Sequence, residues 1–85
     1  MDAITDTLFQ KVALLDARLI EAAFGISRST VERWHDLEVL PLSGMTGNVR
    51  WFRVRDLARA AKKMRWPDSA TIVDFCAEIG EPLYN

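Results

Sequence analysis

Cysteine and histidine each occur once in the 85 residues, as Cys76 and His35. A single cysteine cannot form an internal disulfide, and His35 lacks the second His or Cys that usually completes a transition-metal site. Nothing marks an oxidising compartment, so the default is the cytoplasm. Catalysis is excluded on similar grounds. A nucleophile, a base and an orienting group must converge, whereas His35 and Cys76 fall on different predicted elements. His35 is expected at the surface near Glu32, Asp36 and Glu38, and Cys76 as a small buried hydrophobe. No metal and no cofactor is implied. Long apolar runs are lacking too: Val12 to Leu15 is far too short for a signal-peptide core or a membrane span, and Asp2 and Asp6 replace the usual basic flank. No membrane partner is expected. Glycine (four) and proline (three) are scarce, and a chain that is 49% hydrophobic and 27% charged reads as one small globular domain, residues 1–85. A chain of this size buries only roughly 60 to 65% of its unfolded surface, which leaves little room for a deep enzymatic cleft.

What is present is an uneven distribution of charge. The net charge is -1, which argues mildly against a nucleic-acid partner. Yet residues 28–65 hold nine basic groups against four acids, while residues 1–27 and 66–85 are both net acidic. Screening limits surface electrostatics to about 8 Å at physiological salt, so a partner would respond to the basic centre more than to the total.

Leu8, Val12 and Leu15 fit helical spacing, although Val12 to Leu15 fits a short strand equally well. Asp16 can cap a helix running to about Phe24, with Leu19, Ile20 and Ala23 as its apolar side and Gly25 closing it. Ser27 can cap the next helix, residues 28–37, whose Val31 and Trp34 point inward. Trp34 is then core rather than a stacking platform. Pro41 terminates whatever follows Leu40. Two helices joined only by Gly25, Ile26 and Ser27 must cross steeply, as in a helix-turn-helix at about 16–40. The glycine-rich stretch after Leu42 reads as a hairpin tip, with Val49 to Val54 as one arm and a second arm near Leu40 to Ser43, giving a hairpin at about 41–54. A helix at about 55–65 turns Leu57, Ala60, Ala61 and Met64 inward and Arg55, Arg59, Lys62 and Lys63 outward. Trp66 and Pro67 break it before a last helix at about 68–79, capped by Asp68 or Ser69. The predicted core is Ile26, Val31, Trp34, Leu40, Phe52, Leu57, Ala61 and Phe75.

The stretch AAFGISRSTVERWHDLEVLP, followed by GNVRWFRVRDLARAAKKM, resembles the winged helix-turn-helix of the MerR-like and phage excisionase group. The likeness covers about residues 16–65. It lies in Gly25-Ile26-Ser27, Thr30-Val31, Trp34, Leu40-Pro41, and Arg50 with Phe52 ahead of Asp56-Leu57. The N-terminal domain of phage terminase small subunits is similar. Two departures stand out: Glu21 occupies a position where many such sequences have a small residue, and Glu32 one where MerR-like regulators commonly have a base. The resemblance implies a mainly α winged helix-turn-helix domain with a short antiparallel hairpin wing. It also implies double-stranded DNA as partner, for a transcription regulator or an excisionase-like architectural factor, with helix 28–37 in the major groove. So small a domain would need a homodimer, tandem sites or a recombinase-type protein partner for specificity. The competing class is a protein-binding adaptor or inhibitor, such as a terminase-type packaging module.

The candidate DNA-binding residues are Arg28, Ser29, Thr30, Arg33, Arg50 and Arg53. Arg28, Ser29 and Thr30 sit in a first helical turn, where backbone N–H groups and side chains can meet phosphate or base edges, or simply form a capped, solvated helix start. Arg33 is placed either to read guanine or to pair with Glu32 and Asp36. Alternation puts Arg50 and Phe52 on one side of the strand and Trp51 and Arg53 on the other, with Phe52 in the core. Trp51 is a candidate partner interface if exposed, and otherwise packs against the N-terminal segment.

Overall fold

The computed structural model describes residues 14–81. They form four helices and a three-stranded antiparallel sheet, mostly helical in content. The chain enters as β1 (Leu14–Leu15), so those two residues are strand rather than helix; the alternative for residues 8–13 lies outside the described residues. α1 (Ala17–Phe24) starts where the Asp16 carboxylate accepts the Leu19 N–H at 2.8 Å. It stops at Gly25, whose φ of 72° suits a residue without Cβ. The inward stripe is Ile20 with Phe24 rather than Leu19, Ile20 and Ala23: Leu19 is 45% exposed and Ala23 is exposed. The larger Phe24 turns the helix, since its ring packs edge-to-face on Phe75 at 5.6 Å.

α2 (Arg28–Asp36) begins at Ser27, whose hydroxyl accepts the Thr30 N–H at 3.3 Å, and it buries Val31 and Trp34. Its end comes before Pro41 can act. Glu38 takes φ 62° and the Val39 N–H returns to the Trp34 carbonyl at 3.0 Å, a closure of the Schellman type.

The hairpin pairs β2 (Gly44–Thr46) with β3 (Val49–Arg53) across Gly47 and Asn48. Gly47 at φ 60° with Asn48 outside the positive-φ residues fits a two-residue II′ turn. That turn sets the register Thr46↔Val49, Met45↔Arg50, Gly44↔Trp51. The first arm therefore starts later than Leu40 to Ser43, and Leu40 is drawn into the core instead. β3 is the central strand, because its other edge pairs with β1 in the register Leu14↔Arg53, Leu15↔Phe52.

α3 (Val54–Lys63) follows β3 with no intervening residue and buries Val54, Leu57, Ala58, Ala60 and Ala61. Arg59, Lys62 and Lys63 are exposed as predicted, but Arg55 is half-buried, in the first turn of a helix that packs along α4. The final helix, α4 (Ser69–Glu78), buries Ile72 and Cys76. Phe75 is not fully buried: it lies at the flank of that stripe, half-covered by Phe24. The other predicted core residues, Ile26 to Ala61, are all buried, joined by Leu15, Ile20 and Val54. Trp34 meets Trp66 edge-to-face at 5.8 Å, tying α2 to the break between α3 and α4.

A Cβ at Gly25 would meet nothing within 4 Å. Gly25→Ala should therefore cost only the backbone strain of the left-handed conformation, about 1 kcal/mol in urea unfolding, and Gly25→Asn should cost less. Equal stability of all three proteins would contradict this account of the turn.

Candidate functional site

Three walls enclose an open groove of about 520 Å³: the start of α1, one side of α2, and the hairpin. The α1 wall carries Asp16 and Arg18, the α2 wall Arg28, Glu32, His35 and Asp36, and the hairpin wall Asn48 and Arg50, with Val31 and Phe52 towards the core. Arg50 reaches the groove because it sits two residues before the buried Phe52, on the same side of β3.

The groove contains as many arginines as carboxylates. Arg28 Nε lies 3.2 Å from Glu32 Oε1, an i,i+4 pair with both side chains more than half exposed, so water screens it and it holds Arg28 only weakly. Arg18 is 91% exposed, 3.9 Å from Asp16. Arg50 is exposed and has no ion pair among the described residues. The surplus positive charge of the basic segment is therefore elsewhere, on the exposed Arg33 of α2 and the exposed Lys62, Lys63 and Arg65 of α3 and its exit, while Arg59 lies 3.8 Å from Asp56.

The other candidates divide. Ser29 and Thr30 both bond to the capping Ser27 hydroxyl, at 3.2 and 2.9 Å, and Thr30 is half-buried while Ser29 is exposed. Arg33 is exposed, makes no ion pair among the described residues, and lies outside the groove wall. It is Arg28, not Arg33, that Glu32 holds. Arg53 stands apart from the rest: its Nη2 lies 3.1 Å from Glu81 Oε1, with side chains 31% and 12% exposed. This pair spans 28 residues and fastens the chain beyond α4 to the end of β3. Trp51 is half-buried rather than exposed, because its indole lies across the hairpin and donates to Thr46 Oγ1 at 3.2 Å. Packing of Trp51 on the N-terminal segment lies outside the described residues.

Two groove residues escaped the sequence reading. Arg18 lies in the first turn of α1, where a cation opposes the helix dipole, and that mismatch was the available signal. His35 is no loose surface side chain: its Nδ1 lies 2.9 Å from the Leu40 carbonyl and its ring meets Phe52 at 6.0 Å. Only the fold brings Leu40 and Phe52 to it.

No protein family, curated protein or solved structure matches this chain. Among the described residues no helix is long and apolar enough to cross a membrane.

Away from the groove, burial pushes the Cys76 thiol from 9.0 up to about 11, with the Glu81 carboxylate adding to the shift and Arg55 opposing it. The folded state holds this proton more tightly than the unfolded chain. Its contribution to stability is thus complete below pH 9 and lost as the pH rises towards about 11. Urea unfolding should show that decline in the native protein and a smaller one in Cys76→Ala. A thiol reagent should label Cys76 at neutral pH only on unfolding.

Proposed function

We propose that this chain is a small DNA-binding protein of the winged helix-turn-helix type, a regulator or excisionase-like factor. In this reading α2 enters the major groove and the hairpin serves as the wing. The observation that carries it is the convergence of Arg18, Arg28 and Arg50, from three separate elements, on one open groove beside the exposed side of α2. Each guanidinium is exposed or only weakly paired, so phosphate can claim it without breaking a buried contact. Arg33 and Ser29 lie outside that groove on exposed positions of α2, where base edges would be met.

Glu32 and Asp36 favour a second reading, a protein-binding adaptor on the same scaffold. They put carboxylates on the α2 wall, and phosphate is repelled by them. A basic protein surface would be attracted instead.

Salt separates the two. Each neutralised phosphate contributes about 0.9 to the slope of log affinity against log salt, so four or five contacts give a slope near -4. Arg50→Ala should flatten that slope by roughly one unit and weaken all duplexes alike. Arg33→Ala should reduce discrimination between sites by roughly 1 to 3 kcal/mol. Arg53→Ala should leave the salt slope unchanged and lower the melting temperature, since its partner is Glu81. Unchanged duplex affinity and salt slope in the Arg28, Arg33 and Arg50 triple alanine protein would reject this surface as the DNA interface, and absence of duplex binding by the unsubstituted protein would favour the adaptor.

A further inference from the structure

We infer that His35 is a proton-dependent phosphate ligand of the groove, so that DNA binding takes up one proton from solvent. This inference rests on the DNA-binding reading. A backbone carbonyl only accepts, so the 2.9 Å contact from His35 Nδ1 to the Leu40 oxygen places a proton on Nδ1. In the neutral ring Nε2 is then the lone-pair nitrogen. Nε2 has no protein partner among the described residues, and His35 lines the groove. Phe52, packed edge-to-face on the imidazole, holds the ring in that position.

Phosphate oxygens accept hydrogen bonds and carry negative charge. Neutral His35 offers them a second acceptor, whereas protonated His35 offers a donor and a positive charge. The charged groups lining the groove with it are Asp16 and Arg18 from α1, Arg28, Glu32 and Asp36 from α2, and Arg50 from β3. The arginines and carboxylates balance, so the imidazole charge decides the sign of the groove. Carboxylates and guanidinium groups as classes keep their charge between about pH 6 and pH 8, while histidine changes in that range.

The test uses a fluorescein-labelled mixed-sequence DNA duplex at constant ionic strength, with the full chain and with His35→Asn. Asparagine keeps an amide N–H for the Leu40 carbonyl and removes Nε2. Wild type should bind about three- to tenfold tighter at about pH 6 than at about pH 8, within the tenfold per pH unit that uptake of one proton allows, while the variant should stay nearly flat. A second measurement needs no variant. His35 is the single histidine, so its imidazole NMR signals are unambiguous, and duplex binding should move their titration midpoint upward. Binding with an unchanged midpoint, or with the same pH dependence in both proteins, would overturn the role of His35 and leave DNA binding standing. No binding to any duplex at either pH would overturn both.

Discussion

The arrangement depends on β3. Among the described residues it is the only strand with neighbours on both edges, and it passes into α3 without a loop, so its pleat sets the direction of the side chains around it. Phe52 is anchored inward opposite Leu15, each less than 5% exposed. Because successive side chains alternate, that single anchor sends Arg50 to the groove and commits Trp51 and Arg53 to the other side. A slip of one residue would exchange the two sets and bury an arginine, at a cost a domain this small could not bear.

Capping residues secure the helices that face this strand. Asp16, Gly25 and Ser27 define the short passage from α1 to α2. The end of α2 is held in two ways: by backbone bonds returning from Val39 and Leu40 to the Trp34 carbonyl, and by His35 reaching the Leu40 carbonyl. This second tie leads directly into the segment that becomes the hairpin. Structure and site thus share a residue, because His35 braces the route to the hairpin and also lines the groove.

The distribution of cations bears on both functional readings. The basic excess of residues 28–65 does not form one patch. Some of its arginines face the balanced groove, one is consumed by Glu81, and others line the exposed side of α3. A linear count of charge could not separate these, since Arg50 and Arg53 differ by three residues in sequence and lie on opposite sides of the strand.

Local chemistry made much of the fold legible. Caps and glycines act within a turn or two of themselves, so Asp16, Gly25 and Ser27 could be read directly, as could the inward Val31 and Trp34. Features that depend on distant partners could not. Leu14 and Leu15 suited helix or strand until β3 supplied hydrogen bonds to one edge, and Phe24 displaced Leu19 inward only because Phe75 was waiting for it. The groove belongs to this second group, for Arg18, His35 and Arg50 are separated in sequence and share a wall only after folding. By itself the sequence determined where α1 begins and ends, where α2 begins and which side of β3 is apolar, because these follow from backbone capping and side-chain alternation, whereas α2 and α3 close at Glu38 and Arg65 in the left-handed conformation, ahead of the prolines. Tertiary structure decided which arginines stay available and which one is spent on Glu81, because an ion pair spanning 28 residues needs both ends of the fold in place.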